Sequence, residues 1–127
     1  MREVLLVGLG GCLGAVTRYG VSEFVKERVP SHPHAGTFVV NVVGCLLIGF
    51  VLSLASNESS AISDAWKLVL VTGCLGALTT FSTFGHETVS LLQDKRMTDA
   101  IVNVAGNLAV GLPAVWLGIK IASRFGA

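Results

Sequence analysis

The chain has 127 residues and a net charge of +1, with 52% hydrophobic and 13% charged residues and a mean hydropathy of +0.72. Soluble domains carry about 25% charged residues, so a surface this apolar needs lipid or a partner to cover it. The length excludes a second domain, and a near-neutral chain without a basic patch is no partner for nucleic acid.

A helix that crosses a bilayer takes about 20 mostly apolar residues. Four segments of a single transmembrane domain, residues 1–127, meet that requirement. The first runs from about Val4 to Val25 and ends in Lys26-Glu27-Arg28-Val29-Pro30. It lacks a small-residue cleavage site followed by a soluble body, so it reads as a retained span and not a signal peptide. Its Gly8-Leu9-Gly10-Gly11-Cys12-Leu13-Gly14 run imitates a dinucleotide-binding glycine loop, but Leu13 stands where the third glycine belongs. Gly10 and Gly14 instead have the spacing of a helix–helix contact.

The loop Ser31-His32-Pro33-His34 reads as solvated, although two alternate histidines also hint at a surface metal site. The second span runs from about Gly36 to Ala55 and is closed by Ser56-Asn57-Glu58-Ser59-Ser60. Asn41 lies near its start, where an unpartnered amide would cost a few kcal/mol.

The third span, about Ala65 to Leu92, is the unusual one. Its stretch Thr72-Gly73-Cys74-Leu75-Gly76-Ala77-Leu78-Thr79-Thr80-Phe81-Ser82-Thr83-Phe84 combines glycines with hydroxyls. Glycine lowers helix stability by about 1 kcal/mol, and hydroxyls offer the backbone competing partners. This predicts a broken helix around Gly76 to Thr80, which would free carbonyl oxygens, the natural ligands of a cation. The same composition also suits a small-residue packing face. Phe81 and Phe84 share one helix face, and Glu87 continues it. Such a pair can simply contact lipid or core. Its electropositive ring edges can also hold an anion without a buried cation.

The fourth span runs from about Thr98 to Ser123 and places Asn103 and Asn107 on one face. Arg18, Asn41, Ser82, Glu87, Asn103 and Asn107 together argue for a polar path inside the membrane. Cys12, Cys45 and Cys74 are widely spaced and read as buried free thiols, without a disulfide or a metal cluster. Trp66 and Trp116 suit anchoring at the membrane interface.

Lys and Arg in the flanks set membrane orientation. Arg2, Lys67, Lys120 and Arg124 fall on one side and Lys26, Arg28, Lys95 and Arg96 on the other, 4 against 4. Neither side wins. The simplest consequence is insertion in both orientations and an antiparallel pair of identical chains; other factors fixing one orientation are the alternative.

The runs Gly36-Thr37-Phe38-Val39-Val40-Asn41 and Gly73-Cys74-Leu75-Gly76-Ala77-Leu78-Thr79-Thr80-Phe81-Ser82-Thr83-Phe84 with Glu87 beyond, together with Arg18-Tyr19, resemble the Fluc (CrcB) fluoride channel family. The resemblance spans essentially the whole chain. It implies an all-α integral membrane protein of four transmembrane helices with a break in the third. The assembly it implies is an antiparallel, dual-topology homodimer with two fluoride pores. Such a protein would be a multi-pass component of the inner or plasma membrane of the cell, exporting cytoplasmic fluoride passively and without enzymatic activity.

By the same resemblance, Phe81 and Phe84 would be ring-edge fluoride contacts and Asn41 a donor lining the pore. Thr80, Ser82 and Thr83 would supply at least one pore-facing hydroxyl. Carbonyls of Gly76 and Thr79 would hold a structural sodium ion shared by both subunits, and Arg18 and Glu87 would lie near the pore ends. Asn103 and Asn107 stand where many members carry Tyr or His and then Ser. An amide donates as a hydroxyl does, so they would continue the path.

Hydrogen fluoride crosses membranes neutral and dissociates in the cytoplasm, and the membrane potential favours anion exit by about 2.3 kcal/mol per 100 mV. A passive pore therefore suffices. A proton-coupled multidrug exchanger, also small and four-spanned, would need a carboxylate deep in the membrane. Glu3 and Glu23 only flank the first span, and Glu87 lies beyond the aromatic pair.

Overall fold

The computed structural model describes residues 1–56 and 62–125. Helix α1 spans Arg2–Arg28, α2 Ala35–Ala55 and α6 Met97–Ser123. The third apolar segment is composite. It comprises α3 (Asp64–Lys67), a π-helix (Leu68–Leu75), α4 (Gly76–Leu78) and α5 (Phe81–Gln93). Residues 57–60, expected in the loop that closes the second span, lie outside the described residues. Arg2–Arg28, Ala35–Ala55, Asp64–Gln93 and Met97–Ser123 are each long and apolar enough to cross a membrane.

The pattern of burial is that of a membrane bundle. Inward positions are mostly small, among them Gly10 and Gly14 of α1, Gly44 and Gly49 of α2, and Gly111, Ala114 and Gly118 of α6. Large apolar side chains point outward, among them Leu5, Leu9, Leu13, Leu108 and Leu112. Lipid gives Leu no reason to hide, so close backbone approach drives helix association instead. A Cβ on Gly49 would collide with the Val115 carbonyl, and one on Gly118 with that of Leu46, so α2 and α6 meet backbone to backbone. Gly10 and Gly14 likewise face the carbonyls of Val69 and Cys74, and α1 thereby seats the π-helix.

The composite segment changes partners along its length. Its π-helix and α4 pack on α1, whereas α5 packs on α6. Between these halves Thr79 (φ −82°, ψ 154°) and Thr80 (φ −151°, ψ 109°) have extended backbones, while Gly76 keeps helical dihedrals. Gly76 is therefore not required by backbone geometry. The two β-branched threonines carry the change, in keeping with their preference for extended conformations.

Helix α5 ends in a Schellman arrangement: the Arg96 N–H donates to the Leu91 carbonyl (2.9 Å) and the Lys95 N–H to that of Leu92 (3.0 Å). Lys95 occupies the left-handed position at φ 59°. The cysteines are free, but the expectation of burial fails: Cys12 is exposed on the outer face of α1, and Cys45 and Cys74 are only partly covered. In a membrane an apolar sequence context does not predict burial within the protein, because lipid accepts such side chains as readily.

Candidate functional site

The site is organised around the two extended threonines. In an unbroken helix the Thr80 N–H would bond the Gly76 carbonyl. Here it donates to Asn41 Oδ1 of α2 at 2.9 Å. Thr80 is the N-cap of α5, and its Oγ1 accepts the Thr83 N–H at 3.2 Å, a donor that helix continuity would have sent to the Thr79 carbonyl. Both carbonyls, Gly76 and Thr79, thus lose their i+4 donors to side chains. Thr79 Oγ1 donates to the Leu75 carbonyl at 3.1 Å, leaving its own carbonyl uninvolved.

Asn41 links three elements. Its Nδ2 donates to Asn107 Oδ1 of α6 at 3.1 Å and makes only a long 3.5 Å approach to the Thr80 carbonyl. Asn107 in turn donates to the carbonyl (2.9 Å) and Oδ1 (3.2 Å) of Asn103, one helical turn back. Asn103 Nδ2 donates to Thr88 Oγ1 of α5 at 3.0 Å, and that hydroxyl donates to the Phe84 carbonyl at 2.8 Å. On the other flank Thr80 Oγ1 donates to Thr83 Oγ1 (2.9 Å) and lies 3.3 Å from Ser82 Oγ. Thr80, Ser82, Thr83, Asn41, Asn103 and Asn107 therefore belong to one hydrogen-bonded chain joining α2, α5 and α6.

The Phe81 and Phe84 rings lie beside it with centroids 5.7 Å apart and planes inclined by 52°. Phe84 is partly covered, whereas Phe81 is 84% exposed on a single chain. The aromatic half of the site thus faces outward from the bundle.

Arg18 and Glu87 line one cavity of about 440 Å³ between α1, α2 and α5, together with Thr37, Thr80 and Thr83. Glu87 Oε1 accepts the Thr37 hydroxyl at 2.6 Å and lies 3.6 Å from His34 Nδ1, while its buried Oε2 has no partner. Reasoning from sequence gave no role to Thr37 or Thr88, and gave His34 only a place in a solvated loop that hinted at a surface metal site. Thr37 lies four residues before Asn41, one turn along the same face of α2, which was a usable signal. The solvated reading of the His32–His34 loop holds for His32 but not for His34, which is partly buried at the start of α2. No group of three or more His, Cys, Asp or Glu side chains able to hold a metal occurs among the described residues.

Comparison with known proteins gives consistent matches. A family model described as CrcB-like protein, camphor resistance (CrcB), matches residues 5–119. The chain is 43% identical over 122 residues to the fluoride-specific ion channel FluC of Acidobacterium capsulatum, covering 96% of this chain and 97% of that one. It is 46% identical over 118 residues to the FluC of Clostridium perfringens, covering 93% and 91%. With the FluC of Chloroflexus aurantiacus it shares 40% identity over 126 residues, covering 99% of each.

Proposed function

The chain belongs to the CrcB family, and from that premise we propose that it is a multi-pass membrane channel, not an enzyme, that lets fluoride leave the cytoplasm down its electrochemical gradient. Two copies would assemble antiparallel, with two pores and a structural sodium ion between them. The observation that carries this reading is the Asn41 amide bonded to the non-helical Thr80, beside the Phe81–Phe84 ring pair.

A small, strongly hydrated anion gives up its water only where other donors replace it. Asn41 Nδ2 spends one proton on Asn107 and holds the other in a contact too long to be strong. Ser82, exposed next to Thr80, offers a rotatable hydroxyl. The edges of Phe81 and Phe84 would complete the path with partial positive charge and no full cation to trap the ion. Conduction needs binding of that intermediate strength. Asn103 and Asn107 extend the donor series along α6.

Three features support a second copy. Phe81 is almost fully uncovered on one chain, so an anion at its edge would face lipid unless a partner closed the site. The flanking cations balance 4 against 4, which favours neither orientation. The Gly76 and Thr79 carbonyls fit a sodium ion in chemistry, being backbone oxygens whose helical donors are bonded elsewhere. Two such oxygens are fewer than a hard cation takes, and an equal pair from a second chain would raise the number to four. Bound there, sodium would offset the partial negative charge of these carbonyls at the dimer centre.

Liposomes loaded with fluoride or chloride and carrying the purified protein test the proposal. On addition of a potassium ionophore, fluoride should leave far faster than chloride, as followed with ion-selective electrodes. Retention of fluoride would refute the channel assignment.

A further inference from the structure

Glu87 presents a difficulty for any anion path. Its carboxylate lines the same cavity as Thr80 and Thr83, its Oε2 is buried without a partner, and an uncompensated negative charge there repels an approaching anion. Arg18 lines that cavity too, but among the described residues the group within ion-pair reach comes from the adjoining loop. His34 Nδ1 lies 3.6 Å from Glu87 Oε1, the same oxygen that accepts the Thr37 hydroxyl.

His34 also lines a second cavity, of about 450 Å³, with His32, Phe38, Arg96 and Asp99. Pro33 lines both cavities, and the His34–Glu87 pair beside it also stands between them. The pair's imidazole is 29% exposed and its carboxylate 13% exposed. The histidine can therefore exchange protons through the second cavity without passing along the ion path.

Other charges around the pair are largely committed. From α1, Glu23 and Lys26 pair with each other at 3.6 Å. From the start of α6, Arg96 and Asp99 pair at 2.8 Å. Tyr19 lines the Glu87 cavity, His32 lines the second one and bonds Ser31 at 2.9 Å, and His86 is exposed beside Glu87 in sequence. Among the described residues this leaves Arg18 and His34 as the cationic groups facing the Glu87 carboxylate without a carboxylate of their own.

We propose that His34 is the charge partner of Glu87 and acts as a proton-dependent gate: protonated, it offsets the carboxylate's charge at the channel mouth, and neutral, it leaves a negative charge that slows fluoride entry. The inference rests on the channel reading above. Imidazole is the side chain that changes charge between about pH 5 and 8, so fluoride current should rise as pH falls through that range. Thr37 keeps the carboxylate docked in both states, so only the net charge of the His34–Glu87 pair changes.

The test is electrical recording of fluoride current in planar bilayers with the same buffer on both sides, because current is blind to the neutral leak of hydrogen fluoride at low pH. The parent should carry about 3-fold more current at pH 5.5 than at pH 8. His34→Gln and His34→Asn should both be flat with pH at the parent's alkaline level, and Glu87→Gln should exceed the parent's current at pH 8. At pH 8, adding His34→Gln to Glu87→Gln should change nothing further. His32→Gln and His86→Gln should keep the parent's response. A conducting parent with no pH response, or a response that survives both His34 variants, overturns this inference and leaves the channel reading standing. A parent that folds but carries no fluoride current refutes the channel reading itself.

Discussion

Replacing Asn41 separates the two jobs its amide performs. Its oxygen accepts the Thr80 N–H (2.9 Å) and its nitrogen donates to Asn107 (3.1 Å), while Thr80 is only 7% exposed. In Asn41→Ala a buried N–H loses its acceptor, at a cost of about 1–3 kcal/mol. The lost amide–amide bond adds about 0.6 kcal/mol in a membrane setting. The cheapest repair returns the Thr80 N–H to the Gly76 carbonyl, which would run the helix straight through and withdraw an oxygen from the proposed cation site. The alanine variant should therefore lose about 2–3 kcal/mol of stability and most of its fluoride flux. Asn41→Asp keeps the acceptor but removes the donor and adds a negative charge. At about 5 Å and an effective dielectric of 20, that charge repels fluoride by about 3 kcal/mol, on the order of 100-fold in rate. The aspartate variant should remain folded while nearly ceasing to conduct. Liposome efflux reads the flux, and unfolding in mixed detergent with a size-exclusion profile reads the fold. An aspartate variant within about 3-fold of the parent's efflux, or an alanine variant equal to the parent in both measurements, would refute the reasoning.

Phe81→Ile keeps the bulk and removes the ring edge, so efflux should fall at least about 10-fold with the size-exclusion profile unchanged, since Phe81 is 84% exposed and packs little of its own chain. Gly118→Ala should cost about 1–3 kcal/mol, because its Cβ would press on the Leu46 carbonyl and lie 2.8 Å from the Phe50 nitrogen. Gly8→Ala, where nothing lies within 4 Å, should be neutral or slightly stabilising in the same unfolding measurement. Lys95→Gly should stabilise by about 0.5–1 kcal/mol, since only the lysine is strained at φ 59°.

Hydropathy in the chain was enough to locate the four spans, because the bilayer imposes one length on every crossing and apolar runs report it directly. The first helix extends a few residues past its expected ends, Arg2–Arg28 against about Val4 to Val25, because its charged flanks continue the helix once their side chains reach water; the other spans differ by a residue at most. The polar residues of the hydrogen-bonded chain between the helices were legible for a related reason. Asn41, Asn103 and Asn107 are costly in lipid, so their presence is already a sign of use.

What the sequence left undecided are the partners. Composition pointed to a Gly- and Thr-rich interruption without saying which residues depart from the helix. Only packing decides that, since the Thr80 N–H leaves Gly76 for an acceptor 39 positions earlier in the chain. Arg18 and Glu87 likewise became lining residues of one cavity, and His34 moved from a solvated loop to the wall beside that carboxylate. Burial within lipid follows from the side chain alone and is written locally. A hydrogen bond between helices depends on two distant positions meeting at one depth, and that is fixed only when glycine faces bring α1 against the π-helix and α2 against α6.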